Sequence, residues 1–392
     1  MATGARGRRF AVVRGVERIN FPELGIYAAL RGEGFSPELL CSTRSRVTEA
    51  EARMPIRRLR VPPVASRIAP TLAGGYLIGR VSAYRYYHQY LLGFHRAAAP
   101  VDILCPVDLG HPTSYQSVCE KPFGKKVVVQ CWDNIPFNWP HDRPLREHYE
   151  AVLDGADLFL AMTEDAGRTL TAMGVRNERV ARVNIGLDLG FFRPGNGPER
   201  SDGPLELLFV GRLQWEKGLH TLIEALELVG VPVRLTVVGG GTEEARLQWL
   251  VAQRARRGNS TAASSVRFVG PHYGEELLRI RQAADVQVVP SIPVPQWREQ
   301  LNQSMLEGLA CGLPVIASDS GAIPEAVTDR DNGLLVPPDS PVRWAAAIRY
   351  LAEHPAERRE MGRRARARME RDYDLARQGH LLAEVLRARV LS

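Results

Sequence analysis

The sequence predicts an α/β protein of two domains, each a doubly wound parallel sheet flanked by helices. Three observations carry that expectation. At 392 residues, 45% apolar and 24% charged, the chain has ordinary globular composition and the length for two cores. Short continuous apolar runs recur along it, each closed by a glycine or polar turn, and several lead into helical spacing; buried βαβ units read this way. Near the middle lies Gly195-Asn-Gly-Pro-Glu-Arg-Ser-Asp-Gly203, a linker by composition. The expected boundaries are 1–195, a linker at 196–203, a second domain at 204–375 and a terminal helix at 376–392.

In chain order, Phe10–Arg14 reads as the first strand, Gly15 as its turn, Leu24–Leu30 as a helix and Glu38–Cys41 as the second strand. Residues 56–96 interleave Arg57, Arg58, Arg60, Arg67 and Arg80 with Tyr76, Tyr84, Tyr86, Tyr87 and aliphatic neighbours. Two readings stand: a helix packed on the sheet under arginine stems, or a stretch lying in a membrane interface. Asp102–Pro106 and Lys126–Cys131 are further buried strands. Residues just past the ends of parallel strands face a ligand crevice. His111 holds that position after the former, and Trp132, Asp133 and Asn134 after the latter. Taken alone, Asp133 reads as a helix cap. His111, before Pro112, reads as a loop residue rather than a base. Asp157–Thr163 and Val180–Asp188 complete the half.

The second half opens with the strand Leu205–Val210, which runs into Gly211-Arg-Leu-Gln-Trp-Glu-Lys-Gly218 and an apolar-faced helix. Arg212 and Lys217 are two cations able to hold a diphosphate. Val233–Val238 leads to Gly239, Gly240 and Gly241, a tight turn or a place where backbone nears a ligand. Val266–Gly270 and Ala284–Ser291 follow as strands. Next comes a loop with Glu299 and Asn302, then a helix start at Gln303, Ser304 and Met305 with Glu307 inside it. Gly312 stops the helix and Pro314 opens a strand. Unpaired N–H groups at a helix start suit phosphate. Glu307 would repel phosphate but accept hydrogen bonds from ribose hydroxyls, and Glu299 would do the same for a second sugar. The set suggests a ligand of the form sugar–diphosphate–ribose–base.

Charge and cysteine narrow the classes. Residues 1–100 hold sixteen Arg against six Glu, a net +10, while residues 196–392 are neutral. Such a half suits an anionic membrane surface or an anionic acceptor. No nucleic-acid motif accompanies it, so nucleic acid is not an expected partner. No run reaches the ~18 apolar residues of a membrane span, and the first residues carry no apolar signal core. The five cysteines form no C-x-x-C, which suits reduced thiols and a cytoplasmic setting. Asp329-Arg-Asp331 reads as a solvated turn rather than a metal site, and no metal is expected.

The stretch Trp297–Glu325 resembles the E-x7-E element of retaining GT-B glycosyltransferases of family 4. Ala310-Cys-Gly-Leu-Pro-Val-Ile-Ala-Ser-Asp-Ser-Gly-Ala-Ile-Pro-Glu-Ala-Val327 matches that family closely, as does the G-R-x-x-x-x-K-G element at 211–218. Val180–Asp188 with Phe191-Phe-Arg-Pro194 resembles the family's junction, with Ile185 intervening between Asn184 and Gly186. The resemblance is strong over roughly 205–340 and diffuse before it.

It implies the GT-B fold: two Rossmann-like domains facing a cleft, the first binding a hydroxyl acceptor, the second a nucleoside-diphosphate sugar, with the terminal helix returning to the first. The implied activity is a metal-independent hexosyltransferase-type transfer with retention, using a nucleotide sugar as co-substrate and no cofactor. Arg212 and Lys217 would stabilise the leaving diphosphate, Glu307 anchor ribose and Glu299 orient the donor sugar. Gly211, Gly239, Gly240, Val269, Gly270, Asn302, Gln303 and Ser304 would line the donor site. Gly15, His111, Trp132 and Asp133 fall on the acceptor side, where Asp133 would take the acceptor hydroxyl's proton and Trp132 stack on a sugar face. The chain departs from the family after its first strand, where Val16-Glu-Arg-Ile-Asn-Phe-Pro22 replaces a glycine-rich loop, and at Trp132, where a histidine is usual. Those departures keep open a nucleotide-binding protein without turnover, and a GT-B nucleotide-sugar epimerase is a further alternative.

Overall fold

The computed structural model describes residues 7–15, 21–61, 89–138, 143–195, 203–256 and 265–392. The chain divides into two compact units, Met1–Gly186 with Leu375–Ser392, and Leu187–Asp374. In the first, the strands are β1 (Arg8–Arg14), β2 (Phe35–Ser42), β3 (Ile56–Leu59), β4 (Ile103–Cys105), β5 (Lys126–Cys131), β6 (Leu158–Ala161) and β7 (Val180–Arg182). They pair in parallel in the order β3-β2-β1-β4-β5-β6-β7. The second has β8 (Leu205–Val210), β9 (Val233–Val238), β10 (Ser265–Gly270), β11 (Val286–Val289), β12 (Val315–Ser318) and β13 (Gly333–Val336). Their order is β10-β9-β8-β11-β12-β13, again parallel.

The apolar runs account for both sheets. Strands covered by helices on both faces need no polar alternation, and Val127, Val128 and Val129 are all fully buried. In the second unit Leu207, Phe209, Leu235 and Val237 pack with Leu222 and Trp344 from the covering helices. Each such side chain contributes about 1.5–3 kcal/mol of burial. Strand order reverses between β1 and β4, and again between β8 and β11. Loops leaving those neighbours diverge, which opens a crevice at the carboxyl edge of each sheet.

The structure differs from the sequence reading at two places. Residues expected to begin a helix at 56 form edge strand β3 instead, where Arg57 bonds Glu38 at 2.7 Å and the Ala97 carbonyl at 2.9 Å. Of the remainder, 62–88 lies outside the described residues. The first unit ends at Gly186 rather than 195, because Phe191 and Phe192 pack on Leu278, Cys311 and Leu313 of the second unit. Most of the expected linker, 196–202, also lies outside the described residues. The helix Leu375–Arg389 belongs to the first unit: Gln378 accepts the Asn184 N–H at 3.0 Å, and Gly379 lies against Ala29. Asp329 and Asp331 are both engaged by the protein, Asp329 by the Leu335 N–H at 2.9 Å and Asp331 by Arg364 at 3.0 Å.

Candidate active site

In the second unit the loops after β8 and β11 touch. The Ile292 N–H donates to the Glu216 carbonyl at 2.8 Å. Gly218 has φ 66°, and a Cβ there would fall 1.8 Å from the Pro290 carbonyl oxygen, so this close approach admits only glycine. The contact carries Lys217 to Glu299: Lys217 Nζ lies 2.7 Å from Glu299 Oε2, with both side chains largely buried, 12% and 8% exposed. The same oxygen accepts from Ser291 Oγ at 2.6 Å and Asn302 Nδ2 at 3.3 Å. The Trp297 ring lies beneath the ammonium, 4.6 Å from Nζ, a cation–π distance. Arg212 is exposed at the other end of the loop.

Asn302 also opens the helix Gln303–Ala310 by accepting the Met305 N–H at 2.9 Å. That corrects one expectation: the Met305 amide is committed to its cap. Ser304 Oγ accepts from Arg281 at 3.2 Å and from Gln287 Nε2 at 3.1 Å. Glu307 is buried and ion-paired with Arg281, itself 1% exposed, while Gln303 Nε2 donates to its second oxygen at 3.2 Å. Burial raises the Glu307 carboxyl above its ordinary range, against the pull of Arg281. Sequence reasoning missed Arg281, although Leu277 and Leu278 place it on the buried helix face. It also missed Ser291 and Trp297.

The glycines at the sheet edge serve the protein's own backbone first. Gly239 has φ 134°, and a Cβ there would meet the Gly211 carbonyl oxygen at 1.9 Å. The Gly239 N–H donates to the Gly270 carbonyl at 2.9 Å, and the Gly240 carbonyl accepts the Leu213 N–H at 3.0 Å. Val269 packs beside Leu208 and Val238. These bonds lock the loops after β8, β9 and β10 into one edge.

In the first unit, a Cβ at Gly15 would fall 2.2 Å from the Gln89 carbonyl oxygen, so its bareness is spent on Gln89. His111 precedes the helix Pro112–Cys119 without capping it. Burial and the Arg14 charge lower its pKa to about 4, leaving a neutral ring. Trp132 is 8% exposed, and its backbone N–H donates to Asp108 Oδ1 at 2.7 Å. Asp133 accepts the Leu109 N–H, and burial raises its carboxyl. Asp108 and Arg14, absent from the sequence reading, occupy the same carboxyl edge, one after β4 and one ending β1. Among the described residues no group of three His, Cys, Asp or Glu stands together as a metal site, and no helix is long and apolar enough to cross a membrane.

Two doubly wound units with these loops define the GT-B class of fold. Across 97% of this chain and all of the other, they match HepE from Anabaena, solved in complex with UDP and glucose, with a TM-score of 0.74 at 17% identity. Residues 196–368 match the family model described as Glycosyl transferases group 1. The chain is similar to glycogen synthase of Mycobacterium tuberculosis, 37% identical over 44% of this chain and 40% of that protein. It is also similar to D-inositol 3-phosphate glycosyltransferase of Pseudarthrobacter chlorophenolicus, 32% identical over 58% of this chain and 55% of the other. The chain thus spans about half the length of the curated relatives it matches.

Proposed function

We propose that the chain is a glycosyltransferase that moves a sugar, with retention, from a nucleoside-diphosphate sugar to a hydroxyl acceptor. The observation that carries this reading is the Lys217–Glu299 pair, 2.7 Å apart, in the second unit's crevice and inside the Glycosyl transferases group 1 domain. An arriving diphosphate competes with Glu299 for Lys217 and takes Arg212 as its second cation. Glu299, released from the ammonium, then turns its carboxylate to the donor sugar's hydroxyls. Glu307 accepts from the ribose with the lone pairs that Arg281 and Gln303 leave over. As the sugar–oxygen bond breaks, charge grows on the diphosphate and the two cations stabilise it. The acceptor hydroxyl attacks from the face the diphosphate leaves.

The relative solved with UDP and glucose supports a uridine donor as the first to try. The excess of arginine in residues 1–100 suits an anionic acceptor or membrane surface. A thermal-shift series with UDP, GDP, ADP, dTDP and their sugars tests the donor site. A ligand at about 100 times its Kd stabilises the folded state by about 2.7 kcal/mol. One diphosphate should raise Tm, its sugar conjugate should be turned over in EDTA, and the product should keep the donor's anomeric configuration by NMR. If no diphosphate shifts Tm, the reading fails.

A further inference from the structure

Two acids stand at the carboxyl edge of the first unit's sheet, Asp108 after β4 and Asp133 after β5. Asp108 Oδ1 accepts the Trp132 backbone N–H at 2.7 Å, and Asp133 accepts the Leu109 backbone N–H. Each acid is bonded to the residue beside the other, which sets the two carboxyl groups next to one another. Their loops are fixed. The Asp108 N–H donates to the Gln130 carbonyl at 2.7 Å, and the Asp108 carbonyl accepts from Ser114 Oγ at 2.6 Å. Asp108 is held at φ 49°, a conformation an aspartate adopts at a cost.

Neither acid has a bonded cation among the described residues. Arg14 is 4% exposed, but its guanidinium donates to the Val13 and Cys105 carbonyls and to Gln130 Oε1. Among the described residues, the other ionisable groups facing the acids are Glu23, Cys131 and Tyr149, none of them cationic. His111, close by, is neutral above about pH 4. One arginine bonded to Val13, Cys105 and Gln130 cannot balance two adjacent carboxylates taken out of water.

We infer that Asp108 and Asp133 act as one carboxylate pair holding a proton between them, a proton-accepting site for a hydroxyl-bearing ligand on the first unit. Burial raises both acids, and the Asp133 charge raises Asp108 further. Trp132 Nε1, Gln130 Nε2 and Thr113 Oγ1 are buried without a partner among the described residues, so polar groups remain beside the pair for a ligand. In the step, the hydroxyl O–H bond breaks and the ionised member of the pair gains the proton. The hydroxyl oxygen keeps the electron pair with which it attacks.

That hydroxyl is the acceptor of the transfer proposed above, and only in this respect does the inference rest on it. Isotope-edited infrared spectroscopy of protein labelled with ¹³C at aspartate carboxyls tests the pair without turnover. At pH 7 the wild type should show a protonated-carboxyl band. Asp108→Asn and Asp133→Asn should each abolish it, because removing one charge lets the other acid ionise. Asparagine retains an oxygen for the backbone N–H, and should one variant not fold, the other and the wild type decide. A wild type without the band overturns the pair, as does a band that survives either substitution. In turnover, Asp108→Asn should shift the acid limb of the pH–rate profile by about one pH unit or more. A band that behaves as described, in a protein that transfers no sugar, upholds the pair and overturns the transferase reading.

Discussion

Lys217 sits where two demands meet: Glu299 pairs with it at 2.7 Å, and a bound diphosphate would claim it. Lys217→Ala should therefore cost about 2–4 kcal/mol of transition-state stabilisation, roughly 30- to 900-fold in kcat/KM. Single-turnover kinetics with the preferred donor measures this, and near-normal turnover would remove Lys217 from the chemistry. Arg281 is a different kind of residue. Arg281→Met leaves Glu307 buried without its cation and should lose about 3–5 kcal/mol in urea unfolding. Adding Glu307→Leu should restore most of that while abolishing donor affinity. His111 supplies a pH dependence. Its folded pKa is about 4 against 6.5 when unfolded, so between those values the unfolded chain binds a proton that the folded chain does not. Stability from this group is full above pH 6.5 and is lost as pH falls toward 4, by up to roughly 3 kcal/mol. His111→Gln should flatten the urea midpoint across that window. The sequence displayed Lys217 and Glu299 because each lies in a short local pattern. Arg281 and Asp108 were hidden because their partners come from other loops, and only the folded topology brings them together.

At the scale of elements, glycine and cap placement decide whether the loops meet. Gly218→Ala forces a Cβ into the Pro290 carbonyl at positive φ. It should cost more than ~2 kcal/mol and lower kcat together with stability, since Lys217 moves with the loop. Asn302→Ala removes the Met305 cap and one hydrogen bond to Glu299, with an expected loss of ~1 kcal/mol measured in urea. The buried strands were legible because parallel strands covered on both sides are written as unbroken apolar runs. Lys126–Cys131, Leu205–Val210 and Val233–Val238 have the observed ends. Strand β3 was not legible. It lies at a sheet edge, where charged residues are favoured, and its pattern is as polar as a surface helix.

At the scale of the whole chain, charge counted from sequence overstates what solvent meets. Arg14 is buried, and Arg57 and Arg58 spend their guanidinium groups on internal carbonyls. What remains should give a salt-sensitive association with phosphatidylglycerol vesicles. Sedimentation should be lost as salt rises from ~0.1 M to ~1 M and the screening length falls from ~10 to ~3 Å. Binding that ignores salt would point to another attraction.

The boundary was misread for a related reason. Residues 187–195 look like the tail of one domain, yet their aromatic rings pack in the other. The return of Leu375–Arg389 to the first unit makes the second, in topological terms, an insertion within the first. A ribosome finishes the inserted body while the surrounding one still lacks its closing helix. Residues 187–374 can thus mature as an independent nucleus, whereas the amino-terminal body waits with Ala29 and Asn184 uncovered until its last wall is synthesised.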